Sequence, residues 1–177
     1  MDLRGSETEA NLQRAFAGEA HARCRYDLYA EAARRQGYEQ LAAFFEETAQ
    51  NELAHARMWL RALGAPGSVE ESLTDAAVNE NRLWTQVYAE MAQTARTEGF
   101  PELAARFDGV AQAERAHEVR FLKLLENLRQ EQVFARNSPV LWYCRNCGHL
   151  EWGKAAPERC PICAHPRGFF QIKAENY

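Results

Sequence analysis

The 177-residue sequence lacks three features that would point to particular partners. No run of about 18 apolar residues is present, so we expect no membrane-spanning helix and no membrane partner. The N-terminal segment MDLRGSETEA has no apolar core and no cleavage pattern, which predicts a cytoplasmic protein. Long basic runs are missing and the net charge is −4, so nucleic acid is not an expected partner.

Proline is absent between Glu7 and Gln36, where the only glycine is Gly18 and apolar residues recur at helical spacing. The same periodicity continues downstream, interrupted at glycines and prolines. We predict four helices, over residues 7–36, 39–63, 72–98 and 101–130. Two αα-hairpins of this length predict a four-helix bundle.

The two hairpins form an internal repeat. RRQGYEQLAAFF and RTEGFPELAARF align with an offset of 62 residues, which places Glu52 on Glu114 and His55 on His117. The same offset places Tyr26 on Tyr88.

Each repeat contains a Glu-x-x-His pattern, which puts a carboxylate and an imidazole on one side of a helix. Such a pattern is common by itself, but two copies in register are not. Glu19 and Glu80 lie on the inner stripes of the first and third helices, where an unpaired carboxylate is very costly. Four carboxylates and two imidazoles are the set that two-metal bundle proteins use, which predicts a di-metal site. Its predicted ligands are Glu19, Glu52, His55, Glu80, Glu114 and His117.

Four of the five cysteines form two C-x-x-C units, a pattern typical of a tetrahedral metal site. Iron and zinc both accept four thiolates, so the spacing leaves the metal open. The predicted ligands are Cys144, Cys147, Cys160 and Cys163. Cys24 stands alone and is expected to be a buried helix thiol without a redox role.

The helical pattern fades before Ser138 and Pro139, which predicts a linker over residues 135–140. The predicted domains are therefore the bundle over residues 1–134 and a small β domain over residues 141–177. The second domain has too little apolar core to fold without a metal.

Nearly the whole sequence resembles rubrerythrin, through AFAGEAHARCRY, GYEQLAAFFEETAQNELAHA, AERAHEVRF, CRNCGH and APERCPICAHP. The resemblance implies a ferritin-like di-iron bundle followed by a rubredoxin-like domain with one iron. It implies reduction of hydrogen peroxide to water, in oxidative-stress defence, with electrons supplied by a pyridine-nucleotide-dependent reductase through the four-thiolate iron. Glu52 and Glu114 match bridging carboxylates, while Tyr26 and Tyr88 match tyrosines near the iron pair. Zinc or manganese in the bundle, and zinc in the four-cysteine site, remain alternative occupants.

The sequence departs from the family at one predicted ligand. A further glutamate is expected three residues after Glu80, where this chain has Leu83. In the family that glutamate competes with the histidine of the second helix as the oxidation state changes. We therefore predict that His55 stays bound in both states, or that the first iron binds weakly.

The connection between the second and third predicted helices has only about nine residues. It must return along the bundle, a path of about 25 Å against a reach of about 30 Å at full stretch. This tightness predicts a homodimer, with exchange of helix hairpins between two chains as the arrangement that relieves it.

Two other functions remain open from the sequence. One is an oxidase or ferroxidase. The other is a non-catalytic metal-storage or electron-transfer protein, with zinc or iron in the four-cysteine site.

Overall fold

The computed structural model describes residues 2–174 and is mainly helical, with a small three-stranded sheet near the C-terminus. This order of elements confirms the predicted fold class. The chain divides into two compact units after Ser68, and each unit is described here by itself. Within the described residues, no helix combines the length and the apolar character needed to cross a bilayer.

The first unit is a hairpin of helices α1 (Glu7–Arg35) and α2 (Glu39–Ala62). The hydroxyl of Ser6 accepts a hydrogen bond from the backbone N–H of Glu9 and so caps the N-terminus of α1. Gly37 ends it at φ 84°, a left-handed conformation that glycine adopts without steric cost. Alanines fill the contact between the two helices, which lets their backbones approach closely; the buried ones in this cluster are Ala30, Ala33 and Ala42.

The second unit begins with a helix that is interrupted. Helix α3 (Val69–Arg82) leads into a π-helical segment (Leu83–Val87), and α4 (Tyr88–Thr97) follows without a break in the chain direction. The sequence predicted one regular helix from residue 72, so the real helix begins earlier and contains an unpredicted π turn. Helix α5 (Pro101–Arg129) completes the helical part.

The two hairpins repeat each other in detail. The N–H of Tyr38 donates to the carbonyl of Ala33 at 3.0 Å, and the N–H of Phe100 donates to that of Ala95 at 2.8 Å. The ring centroids of Tyr26 and Phe45 lie 6.3 Å apart, as do those of Tyr88 and Phe107, which are the positions 62 residues later. The internal repeat seen in the sequence is therefore a structural repeat.

The C-terminal sheet has the order β2–β1–β3 and is antiparallel, with strands β1 (Ala135–Cys144), β2 (Leu150–Ala155) and β3 (Phe170–Ile172). Its small core contains Trp142, Cys144, Ala156, Cys160 and Phe170, all nearly inaccessible to solvent. The indole N–H of Trp142 donates to the carbonyl of Gly153 at 3.0 Å, so the buried ring keeps its hydrogen bond. Residues 135–140, predicted as a linker, form the first part of β1. Residues 175–177 of the predicted β domain lie outside the described residues.

Candidate metal centres

The four cysteine sulfurs converge at one end of the sheet. The Sγ atoms of Cys144 and Cys163 are 3.8 Å apart, and those of Cys147 and Cys160 are 3.6 Å apart. A tetrahedron with metal–sulfur bonds of about 2.3 Å has edges of about 3.8 Å. The thiols are therefore already spaced for a single tetrahedral ion.

Two equivalent turns hold these thiols. The N–H of Gly148 donates to the carbonyl of Cys144, and that of Ala164 donates to the carbonyl of Cys160, both at 2.9 Å. Both turns end in the left-handed region, at φ 80° for Gly148 and φ 59° for Ala164. Gly148 and Ala164 thus occupy the tight turn that follows each C-x-x-C unit.

The proton affinities of the thiols show what the cluster requires. The backbone N–H of His165 stabilises the thiolate of Cys163 and lowers its pKa to about 6. The backbone N–H of His149 acts in the same direction on Cys147. There, contacts with the other thiols and loss of hydration prevail, and the pKa of Cys147 rises to about 12. Four thiolates at this spacing need a cation, and the residues present fit one.

The first unit brings three predicted ligands together. Ligand atoms of Glu19, Glu52 and His55 all lie within 4.8 Å of one another. His55 Nδ1 is 3.0 Å from Glu52 Oε2 and 3.8 Å from Glu19 Oε1. The His55 side chain is 51% exposed, so this triad lies on an open face of the single chain.

The second unit holds the other three predicted ligands, Glu80, Glu114 and His117, also within 4.8 Å of one another. His117 Nδ1 is 2.7 Å from Glu114 Oε2. Glu80 Oε2 is buried and has no hydrogen-bond partner among the described residues. Loss of hydration, and next the neighbouring Glu114 carboxyl, raise the pKa of Glu80. An orphaned carboxylate oxygen beside a second carboxylate and an imidazole fits a bound cation.

The π-helical segment explains how Glu80 reaches this face. Glu19 precedes Tyr26 by seven residues, close to two α-helical turns, whereas Glu80 precedes Tyr88 by eight. In a regular α-helix, two residues eight positions apart lie about 80° apart around the helix axis, so Glu80 and Tyr88 would face different directions. A π turn accommodates one extra residue, so Glu80 and Tyr88 keep the alignment that Glu19 and Tyr26 have.

The remaining predicted positions are placed as follows. Tyr26 and Tyr88 pack on Phe45 and Phe107, and their proposed role beside the metal ligands stays a prediction. Leu83 is half-buried and is the first residue of the π segment. Cys24 is an exposed free thiol on α1, not a buried one.

Two protein-family models match the regions of the chain that contain these sites. The rubrerythrin family model matches residues 10–86 and 71–145, and the model of the rubredoxin-like domain of rubrerythrins matches residues 142–171. The chain belongs to the rubrerythrin family. Its overlapping double match reflects the repeated hairpin. Within the family it is a di-iron oxidoreductase, with two irons in the bundle and one iron in the rubredoxin-like domain.

Individual rubrerythrins match over nearly the full length. The rubrerythrin of Porphyromonas gingivalis is 43% identical and covers 99% of this chain and 94% of its own length. Rubrerythrin-1 of Clostridium acetobutylicum is 40% identical and covers 99% of this chain and 98% of its own. A solved structure of partially reduced nigerythrin is 29% identical, covers 95% of this chain and 87% of its own, and gives a TM-score of 0.38.

Sequence reasoning missed a group of polar side chains beside the second triad. Asn81 and Trp84 both donate hydrogen bonds to Glu118, which follows His117. The sequence offered one signal that this region is unusual. Glu80 precedes Tyr88 by eight residues, whereas Glu19 precedes Tyr26 by seven, so Glu80 does not obey the 62-residue offset of the repeat.

Proposed function

We propose that this rubrerythrin-family chain reduces hydrogen peroxide to water. The observation that supports it most is the presence, in one chain, of two carboxylate–histidine triads and a separate four-thiolate site. The overall change consumes one peroxide, two electrons and two protons and yields two water molecules. Bound iron supplies the redox chemistry for breaking the O–O bond and for accepting electrons one at a time.

The residues that would hold the bundle irons are the two triads. Glu19, Glu52 and His55 come from α1 and α2, while Glu80, Glu114 and His117 come from α3 and α5. Glu52 and Glu114 would bridge the two ions. Four carboxylates balance the charge of two divalent cations, and two imidazoles complete the ligand set.

The length of the interhelical connection supports a helix-swapped homodimer. Residues 63–68 join α2 to α3, three fewer than the sequence predicted. With His55 and Glu80 at one level in a ferritin-like bundle, Ala62 and Val69 would be about 29 Å apart, at 1.5 Å per helical residue plus a lateral step of about 10 Å. Seven residue spacings reach only about 25 Å. A site built from α1–α2 of one chain and α3–α5 of another avoids this limit.

Surface exposure supports the same assembly. Phe44 is 59% exposed and Leu41 is 51% exposed, and both are large apolar residues on α2, the helix that also carries Glu52 and His55. On the second unit an apolar groove is lined by Val87, Met91, Phe100, Leu103 and Phe107 together with polar neighbours. A second copy of the chain would cover both surfaces and bring the two triads together.

Charge favours an acidic electron donor for the rubredoxin-like domain. Residues 135–177 contain six Lys and Arg against three Asp and Glu, while residues 1–134 contain 15 against 22. Arg145 and Arg159 are exposed and directly follow or precede a site cysteine, and Ile162 between two cysteines is 71% exposed. A reductase that docks here would be attracted by charge and would contact the thiolate site closely.

Stopped-flow oxidation of the reduced protein tests the proposed substrate. We expect peroxide to oxidise the bundle iron at least tenfold faster than dioxygen at equal concentration. Glu114→Gln should abolish the difference, while Glu102→Gln in the first turn of the same helix should leave it unchanged. Faster oxidation by dioxygen would favour the oxidase or ferroxidase function instead.

A further inference from the structure

Four side chains of the second unit form a connected group beside the metal triad. Each follows by one residue a position of the site already described: Glu80, Leu83, Glu114 and His117. We call this group the Glu118 cluster; it consists of Asn81, Trp84, Arg115 and Glu118.

The carboxylate of Glu118 is the centre of the cluster. Its Oε1 accepts a hydrogen bond from Asn81 Nδ2 at 2.9 Å, and its Oε2 accepts one from Trp84 Nε1 at 2.5 Å. The guanidinium carbon of Arg115 lies 5.5 Å from the centroid of the Trp84 ring. Both oxygens of one α5 side chain are thus used by donors from the end of α3 and from the π segment. Hydrogen bonds to a charged carboxylate are roughly twice as strong as neutral ones.

Among the described residues of the first unit, 2–68, there is no equivalent of this cluster. The offset of 62 residues places Arg115 on Leu53 and Glu118 on Ala56, and Ala56 is buried. Helix α1 is also continuous through the corresponding region. The cluster and the π segment therefore occur together, in the same half of an otherwise repeated structure.

This pairing has a physical reason. A π turn is rare and less favourable than an α turn, so surrounding contacts must hold it. Asn81 lies just before the π segment and Trp84 lies within it. A carboxylate on α5 that binds both fixes the rotation of the helix across the inserted residue. Glu80 is adjacent to Asn81, so the same contact fixes the direction of its side chain.

We propose that Glu118 is a positioning residue for the metal site. By holding Asn81 and Trp84, it maintains the π turn and keeps Glu80 directed at Glu114 and His117. This inference rests on the proposed metal-binding role of those three residues.

A second contact between the same helices provides a matched control. Arg129 Nε donates to Glu70 Oε1 at 2.8 Å and also joins α5 to α3, but far along the helix from His117. A variant Arg129→Gln removes this connection between the helices without touching the π segment. Any general loosening of α3 against α5 should appear in that variant as well.

The experiment uses the full-length protein with iron already reconstituted into the four-cysteine site. Manganese(II), which prefers carboxylate and imidazole to thiolate, is titrated and free Mn²⁺ is followed by its electron paramagnetic resonance signal. Glu118→Ala should weaken Mn²⁺ binding about 10- to 100-fold, the usual effect of losing a group that orients a ligand. Trp84→Phe, which keeps a ring but loses the N–H, should give a smaller loss in the same direction.

Amide hydrogen exchange of the metal-free variants gives the second readout. In Glu118→Ala, the amides of residues 83–88 should exchange about tenfold faster or more, while Arg129→Gln leaves them unchanged. Wild-type exchange in Glu118→Ala, unchanged Mn²⁺ affinity despite faster exchange, or an equal affinity loss in Arg129→Gln would each overturn the proposal. Mn²⁺ binding insensitive to Glu80→Gln would contradict the metal site itself, and the exchange rates alone would then decide the positioning role.

Discussion

Leu83 stands where the family is expected to have a seventh metal ligand, a fifth carboxylate. Its side chain is half-buried at the first position of the π segment, next to Trp84 in sequence. Leucine has no lone pair to offer a metal, so no carboxylate at this position can replace His55 on the metal nearest to it. The effect of Leu83 on ligand exchange between the oxidised and reduced states stays a prediction.

Replacing Leu83 with glutamate should restore an exchange of ligands between oxidation states. Crystal structures of oxidised and reduced Leu83→Glu are expected to show the metal nearest His55 in two positions, because a carboxylate can then replace the imidazole. In the unaltered protein the same metal should keep one position. Movement of that metal without the new glutamate would contradict this interpretation.

Glu80 should destabilise the metal-free protein at neutral pH. Its raised pKa means that the folded state binds the proton more tightly than the unfolded state does, so its contribution to stability falls as pH rises through the folded-state pKa. Glu80→Gln should therefore raise the melting temperature of the metal-free protein by a few degrees at pH 7. Below about pH 4 the gain should vanish, because the wild-type carboxyl is then protonated in both states.

The control for this measurement is Glu126 on the same structural unit. The Lys123 ammonium lowers the pKa of Glu126, so its charged form is the favoured one. Glu126→Gln should give no rise in melting temperature at pH 7. A similar rise in both variants would mean that charge reduction in general, and not the site, is responsible.

At the scale of elements, the π segment is where the two repeats differ. Deleting Thr85, an exposed residue within it, should convert the segment to a regular helix in which Glu80 precedes Tyr88 by seven residues, so Glu80 should keep the alignment that Glu19 has with Tyr26. Inserting an alanine after Thr85 should instead turn Glu80 by about 100° relative to Tyr88. We expect the deletion to keep Mn²⁺ affinity at the second triad within about threefold of the wild-type value and the insertion to weaken it at least tenfold, measured by the same resonance titration. Thr85→Ala, which keeps the length, should retain wild-type affinity.

The helices show how far sequence reasoning reaches. The helical spacing of apolar residues located the helices, and the glycines between them, Gly37 and Gly99, located the turns of the two hairpins. Both signals are local and occur in each repeat. Within each hairpin the Glu and His of the E-x-x-H pattern lie close together, since positions i and i+3 share a helix face. The π turn was not predicted, because it becomes evident only when the spacing from Glu80 to Tyr88 is compared with that from Glu19 to Tyr26, in a distant part of the chain. The Glu118 cluster was missed for another reason: its contacts join residues 34 or 37 positions apart, which no local pattern reveals.

At the scale of the whole molecule, each unit has half of the proposed site. Mixing two inactive variants distinguishes the possible assemblies. Glu52→Gln impairs the first triad and Glu114→Gln the second, so each variant alone should lose di-metal binding. In a helix-swapped heterodimer one site combines the two intact triads, and the other combines the two impaired ones.

We therefore expect co-expression of the two variants to recover about a quarter of the wild-type activity, since half of the dimers are mixed and each has one intact site. An unswapped dimer would leave every site with one impaired triad and would recover nothing. Co-expressing two copies of the Glu52→Gln variant, distinguished only by their tags, supplies the baseline. Metal content per dimer provides a check that does not depend on turnover.

In the proposed helix-swapped dimer, the six residues between α2 and α3 would act as a tether whose length decides which partner a hairpin finds. A linker too short to span two sites gives the chain's own second half an effective concentration near zero, so only a neighbour can supply the match. The same chain with about ten flexible residues added there should become able to complete itself. A monomer that completes its own metal site and a dimer that shares its sites would then differ only in the length of this loop, with the same metal ligands.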